Sequence, residues 1–547
     1  MKRNTIILII IAGALLLPWL GLPWFNSKGE PREAIVAVSM LNSGDWILPT
    51  SCGGDIPYKP PLLAWLIAVF SEIFNGGVVS TWTSRLPSAL SAIFLVIFGW
   101  KVMAPRIGRD RAWMTFGLTL TSFELFRTAI ACRVDMVLTA CIVGACYSIF
   151  LMYETDGRRR LWHALAAILL LSGGILAKGP VGALLPLLAM GIYRLICRDN
   201  VLRTIGVMLG LLMASLLLPA LWYYAAYLRG GDEFVRLALE ENIGRLTGTM
   251  SYDSHVNPWW YNFATLLWGV LPWTIPALMA LCLRRVRTAI ATVWCNRDRK
   301  PDLTKMAWTV ALTVLIFYCI PSSKRSVYLL PMYPFIAMGL SWLLWQCRTA
   351  KFMRIFARVL ALLAIIAPVA LMLLSHISSS HLRIYTPAWW QYIMAFLPVI
   401  AGVWWLVTRS REANATAGAV VIAYLLFMSY ASTFAPMLLN PKSDRPAAEV
   451  VARQVPKDAP LYGVITGDSL LRYYTINYYL DDRMNHATDI NAVPRGAYVV
   501  TDPQAVDNRP DYTVLDTLTS RSCDTRTAAV LARRKQSQYS STANTNP

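Results

Sequence analysis

The sequence predicts an α-helical polytopic membrane protein, with about thirteen transmembrane helices, that ends in a small soluble α/β domain. Three observations predict it. The 547 residues are 56% hydrophobic and only 15% charged, far from the balance of a soluble domain. Apolar stretches of roughly 20 residues, the length that carries a helix across a bilayer, recur along most of the chain. From about Pro436 onward that pattern stops and the chain turns polar.

The apolar stretches lie near residues 5–23, 86–104, 112–130, 134–152, 162–178, 181–196, 205–225, 261–283, 306–320, 327–346, 358–375, 391–408 and 416–434. The first reads as a transmembrane helix rather than a cleaved signal, because no small-x-small cleavage site precedes Trp24 and further spans follow. The basic residues fall in alternate loops: Lys2 and Arg3; Arg106, Arg109 and Arg111; Arg158 to Arg160; Arg194, Arg198 and Arg203; Arg284, Arg285 and Arg287; Arg348 to Arg358; Arg409 and Arg411. That alternation marks one side as cytoplasmic. It accounts for the net charge of +20 without a nucleic-acid partner.

The N-terminus is then inside, and residues 436–547 form a domain outside the inner membrane, in the periplasm. Within it, residues 444–454 read as a helix, and Leu461–Ile465, Ala497–Thr501 and Tyr512–Leu515 read as strands. Residues 1–435 form the transmembrane domain, with long outer segments at 24–84 and 227–260. Pro60 to Phe74 is too short to span comfortably and suits an interfacial or partly buried helix. Of the ten cysteines, Cys52 and Cys523 both fall on the oxidising side, where a disulfide between them is one reading.

The outer side of a span is normally poor in cations, so those placed there are informative. They are Lys59, Lys178, Arg245, Lys324 and Arg325. Each meets the outer bilayer surface, where it can hold a lipid phosphate by charge-assisted hydrogen bonds; the alternative is a snorkelling anchor. Two acids accompany them. Glu30 follows the first span, and Asp135 opens another, at a depth where an ionised group is costly; a structural pair with Arg133 is the competing role for Asp135. His255 stands alone, as a metal ligand, a base or a hydrogen-bonding loop residue, and one His has no ligand spacing. The chain has no P-loop, no dinucleotide fingerprint and no nucleophile elbow. No cofactor is certain; a divalent metal held by His255 and Glu30 is the one candidate. The 21 Trp and 24 Tyr fit an interfacial belt. A transporter should carry polar residues at mid-span and paired broken helices, whereas here the charged candidates cluster at outer span ends, which favours an enzyme.

In order along the chain stand Glu30, Ser43-Gly44-Asp45-Trp46, Pro57-Tyr58-Lys59-Pro60-Pro61, Arg133-Val134-Asp135 and Ala177-Lys178-Gly179-Pro180. Then come Glu241-Asn242 with Arg245, His255 with Pro258 and Tyr261, Gly269 with Pro272-Trp273, and Ser323-Lys324 with Tyr328 and Leu330-Pro331. This series resembles the bacterial protein-mannosyltransferase-like glycosyltransferases of GT-C fold, and among them most resembles the lipid A 4-amino-4-deoxy-L-arabinose transferases. Pro57-Tyr58-Lys59-Pro60 departs from the Phe-Glu-Lys-Pro often found there, and Gly29-Glu30 keeps one acid where an acidic pair is sometimes seen. The resemblance implies an inverting transfer of 4-amino-4-deoxy-L-arabinose from undecaprenyl phosphate to a phosphate of lipid A, which masks that phosphate against polymyxin and other cationic peptides. It gives Lys59, Tyr58, Lys178, Arg245, Lys324, Arg325 and Tyr328 to donor and phosphate binding, and Glu30 and Asp135 to catalysis or positioning. A GT-C transferase for another polyprenyl-phosphate sugar, with a protein or glycan acceptor, is the alternative; a lipid-linked sugar transporter is the third.

Overall fold

The computed structural model describes residues 2–57, 59–241, 256–295, 302–347, 350–377, 386–408, 415–467 and 471–536. The chain divides into two units. The first is Met1–Pro23 with Tyr58–Leu438, and the second is Trp24–Pro57 with Leu439–Pro547.

The first ten helices are α1 (Lys2–Leu16), α2 (Pro31–Ser43), α3 (Leu62–Asn75), α4 (Thr81–Ile107), α5 (Arg109–Leu120), α6 (Phe123–Ala129), α7 (Val134–Glu154), α8 (Gly157–Lys178), α9 (Val181–Ile196) and α10 (Val201–Leu239). All but α2 belong to the first unit, and later helices are given by residue range. Eight helices among the described residues are long and apolar enough to cross a membrane: α4, α7, α8, α10, Ser326–Gln346, Lys351–Leu373, Trp389–Val407 and the run from Ala415. Tyr261–Gly269 and Thr274–Leu281 make a further pair, bent by 107°. Shorter apolar helices cover Arg3–Leu16, Leu62–Asn75, Val181–Ile196 and Leu303–Cys319. Every apolar stretch read from the sequence therefore falls on helix. The stretch at 112–130 is divided between α5 and α6, neither long enough to cross alone.

Within the outer segment expected from Tyr227, α10 runs on to Leu239 across a break at Gly231 (φ 56°). Its last turns are polar. Arg236 lies 3.6 Å from Glu240 and 3.9 Å from Glu233, pairs that support a helix which hydropathy cannot detect.

In the second unit a five-stranded sheet has the order β2-β1-β3-β5-β4. The strands are β1 (Leu461–Val464), β2 (Asn485–His486), β3 (Tyr498–Thr501), β4 (Tyr512–Thr519) and β5 (Ala529–Arg534). β2, β1 and β3 run parallel, while β5 pairs antiparallel with β3 and β4. The two-residue side-chain period splits each central strand between two cores. Val500 and Leu531 join Val451, Leu461 and Ile476 in one core, and Val499 and Val530 join Val464 and Ile490 in the other. The helix expected at 444–454 is Arg445–Gln454, and the three expected strands are β1, β3 and β4. β2 escaped notice because it is two residues long, and β5 because its Ala-Val-Leu-Ala-Arg-Arg has no alternation.

The sequence placed 24–84 with the membrane domain, but by contact residues 24–57 join the C-terminal segment. Polar side chains make the join. The Asp482 carboxylate accepts from Ser39 Oγ at 2.5 Å, Cys52 N at 2.9 Å and Asn477 Nδ2 at 2.8 Å, and Arg472 grips Asp55 at 2.7 and 3.0 Å. The Cys52–Cys523 disulfide does not form. Both thiols are free; Cys52 Sγ accepts from Asn477 at 3.4 Å, while Cys523 Sγ donates to Thr475 Oγ1 at 3.2 Å. Burial, then the Asp482 charge, pushes the Cys52 thiol up to about 12, so it carries little of the thiolate that oxidation needs.

Asp444 and Asp524 belong to the same unit. Asp444 accepts from Ser522 Oγ at 2.5 Å and Cys523 N at 3.0 Å. Asp524 accepts from Thr475 N at 2.7 Å and Thr475 Oγ1 at 2.8 Å, holding the start of helix Tyr474–Tyr479. Burial, with the Asp444 charge adding, pushes Asp524 up to about 7. The folded chain therefore keeps a proton that the unfolded chain releases near the ordinary value of about 4. Between those values the folded state binds more protons, so the stability of this unit falls as pH rises from about 4 to about 7 and levels off above. Asp524→Asn keeps both partners, as an amide can accept from Thr475 N and donate to its hydroxyl. It is expected to flatten part of that decline in thermal unfolding of the detergent-solubilised protein. An unchanged slope would assign the decline to other groups.

Candidate functional site

In the first unit, α7 and α8 form an antiparallel hairpin around Thr155–Asp156. Asp135 lies in the first turn of α7 and Lys178 is the last residue of α8. Each charge thus stands at the helix end whose dipole favours it, and both are one helix length from the turn. The hairpin brings them together: Lys178 Nζ is 2.5 Å from Asp135 Oδ1, with side chains 19% and 7% exposed. The competing partner, Arg133, is a neighbour and not the hydrogen-bonded mate. Ser88 of α4 holds the Arg133 backbone, accepting from its N–H at 3.3 Å and donating to its carbonyl at 3.1 Å, which fixes where α7 begins.

The motif Ala177-Lys178-Gly179-Pro180 is the local code for the end of α8. Gly179 has φ 76° and its N–H closes on Ile175 O at 2.7 Å, a backbone that glycine adopts without strain. Pro180 then starts α9. Below this turn the two helices touch through Gly174 and Gly182, each with no room for a Cβ.

Lys178 Nζ also lies 4.4 Å from the ring centre of Tyr328, a cation–π contact. Tyr328 belongs to the 3₁₀ segment Ser326–Met332, and its ring meets that of Tyr318 at 5.2 Å. Arg325 precedes the segment, and with Lys178 and Arg133 it acts electrostatically on Asp135. The positive charges acting on this buried carboxylate outnumber it, a balance suited to an anionic group. Tyr318 was missed by sequence reasoning because an aromatic inside an apolar span reads as core.

Lys324 is 5% exposed. Its ammonium donates to Pro321 O at 2.6 Å and Asn257 O at 3.3 Å, while Asn257 Nδ2 returns a bond to Lys324 O at 3.0 Å. These bonds tie residues 256–257 to 322–324, so two protons of this candidate phosphate ligand are engaged by backbone. Lys59 is half-buried just before α3. Leu62, the first residue of α3, lies 3.8 Å from where a Cβ on Gly173 would stand, which sets the start of α3 against α8 less than two turns before Lys178. Glu30, 7% exposed, occupies the position before α2 in the second unit and makes no side-chain capping bond to it. Tyr58, Arg245 and His255 lie outside the described residues, and with His255 lies the metal expected of His255 and Glu30. Among the described residues, the one grouping of three ligand-type side chains is Asp444, Cys523 and Asp524, whose carboxylates already hold the hydrogen bonds given above.

The first unit also carries a buried pair outside this site. Glu124, with no exposed side-chain surface, accepts two bonds from Arg127 at 2.6 and 3.1 Å. Sequence reading passed over both, although charges inside an apolar stretch were the signal.

The fold is that of the polytopic membrane proteins of the GT-C class, as the resemblance implied. The chain superposes on the crystal structure of ArnT from Cupriavidus metallidurans bound to undecaprenyl phosphate with a TM-score of 0.75, at 21% identity, covering 97% of this chain and 98% of that one. Residues 58–223 match the family model described as dolichyl-phosphate-mannose-protein mannosyltransferase, a segment that contains both Asp135 and Lys178. Two curated relatives are each named undecaprenyl phosphate-alpha-4-amino-4-deoxy-L-arabinose arabinosyl transferase. The one from Pectobacterium carotovorum is 26% identical over 61% of this chain, and the one from Pseudomonas aeruginosa is 26% identical over 60%. The chain spans 58% of the length of each.

Proposed function

We propose that this protein is an inverting glycosyltransferase that moves 4-amino-4-deoxy-L-arabinose from undecaprenyl phosphate to a phosphate of lipid A. The observation that carries the reading is the buried Lys178–Asp135 pair, with the Tyr328 ring against the ammonium, at one end of the membrane helices, on a fold shared with a protein solved with undecaprenyl phosphate. In this reading that end faces the periplasm, and the chain lies in the bacterial inner membrane with the second unit outside.

The reaction breaks the bond between the sugar's anomeric carbon and the polyprenyl phosphate oxygen, and the electron pair leaves with the phosphate. A lipid A phosphate oxygen forms the new bond from the opposite face. Its oxygen is already ionised near neutral pH, so no strong base is required. The protein's work is to stabilise the departing phosphate and align the incoming one. Lys178, Lys59 and Arg245 take the departing phosphate, and Tyr328 positions Lys178. Asp135 holds Lys178 in place.

The test is mass spectrometry of lipid A from a transferase-deficient Gram-negative host that still makes the lipid-linked aminoarabinose and expresses this chain. Lipid A is expected to gain the mass of one or two aminoarabinose units. No gain, with the protein folded and inserted, would overturn the donor or acceptor assignment.

A further inference from the structure

The soluble unit contains a cleft that the transfer site does not use. β1 and β3 are parallel neighbours, and the chain leaves β1 toward β2 on one side and β3 toward β4 and β5 on the other. Strand order therefore reverses between their carboxyl ends, which is where α/β sheets bind ligands. An open cleft of about 610 Å³ lies there.

Its polar wall is unusual in what it offers. Asp502, 5% exposed, accepts from Thr466 N at 3.0 Å and Thr466 Oγ1 at 2.9 Å through one oxygen, and from Thr527 Oγ1 at 2.5 Å through the other. Thr525 and Thr527 hydroxyls are 2.9 Å apart. Because Thr527 gives its proton to Asp502, Thr525 must be the donor in that contact. All three hydroxyl protons are thus committed, which leaves these oxygens to act as acceptors beside a carboxylate, with Thr525 Oγ1 already accepting from Thr527 N at 3.3 Å. Gln504 also lines the cleft, and among the described residues the lining contains no Lys, Arg or His. A phosphate or carboxylate would meet acceptors and negative charge, whereas hydroxyl groups and an ammonium would be satisfied.

We infer that this cleft is a binding site for an amino sugar, whose ammonium and hydroxyls donate to Asp502, Thr466, Thr525 and Thr527. The preference for a donor-rich ligand follows from the cleft alone; the choice of an amino sugar over another polyol rests on the proposed transfer.

The test is saturation-transfer difference NMR on the full-length protein in lipid nanodiscs. The probes are methyl 4-amino-4-deoxy-L-arabinopyranoside, the matching methyl arabinopyranoside and arabinose 5-phosphate. The amino sugar is expected to bind best and the phosphate not at all. Asp502→Asn should weaken amino-sugar binding at least tenfold, and Thr527→Val, at an exposed position, should weaken it without disturbing the fold. Equal binding of the phosphate, or amino-sugar binding unchanged in both variants, would overturn the inference. Binding that depends on Asp502 in a protein that leaves lipid A unmodified would sustain the cleft and sink the transfer reading; modified lipid A with binding indifferent to both variants would do the reverse.

Discussion

Lys178→Ala is expected to reduce sugar transfer by at least 100-fold while the protein still inserts in the membrane. Removing one pre-positioned donor from a developing oxyanion typically costs about 10²–10³ in rate, and Lys178 is the cation whose geometry is best defined. It is fixed from two sides, by Asp135 at 2.5 Å and by the Tyr328 ring at 4.4 Å. The substitution also strands a buried carboxylate, which can cost roughly 3–5 kcal/mol of stability, so lost activity alone would be ambiguous. The double variant Asp135→Asn with Lys178→Met separates the two effects. It removes both charges of the pair and is expected to recover most of the thermal stability lost by the single variant, with transfer still abolished. Mass spectrometry of lipid A and detergent-solubilised thermal melts read the two quantities. Near-normal turnover in either variant would remove Lys178 from phosphate binding and leave the pair a structural one.

The second large effect is at the crossing of α8 and α9. A Cβ on Gly182 would stand 2.1 Å from the carbonyl carbon of Gly174 and 2.2 Å from its oxygen. Both are backbone atoms that no rotamer change can move. Small residues allow membrane helices this approach, and their van der Waals packing holds the pair together. Gly182→Ala is expected to part α9 from α8, cost about 3 kcal/mol or more, on the order of the severe overpacking cases, and displace Lys178 at the end of α8. Folded yield and transfer should fall together. Gly206 and Gly210 of α10 have nothing within 4 Å of where an alanine methyl would stand, so alanine there is expected to be neutral or to stabilise by up to about 1 kcal/mol. A thermal melt of Gly182→Ala that matches those of the two controls would refute the packing argument.

Much of the site was legible because charge in an apolar chain is conspicuous. Asp135 and Lys178 could each be singled out as ionised groups at span ends, where burial is costly and a function or a partner must compensate. Their pairing was also within reach, since each sits one helix length from the turn at Thr155–Asp156, but hydropathy alone gives no azimuth around either helix. Lys324 shows the converse. Its position suggested phosphate, and only its geometry reveals two backbone carbonyls on its ammonium. Glu30 shows it again, because the segment from Trp24 to Pro57 packs by contact with residues hundreds of positions away.

The sequence by itself determined the helical membrane class, the apolar stretches, the C-terminal α/β unit with most of its strands, and the residue types that can hold a phosphate. These follow from transfer free energies and periodicity, which are local properties of the chain. Only the tertiary structure decided which cation meets which carboxylate, that Gly174 and Gly182 touch, that residues 24–57 belong with the second unit, and that Thr466, Thr525 and Thr527 line one cleft. Those are long-range contacts, and they depend on register, rotation and side-chain donor direction, which no local pattern encodes.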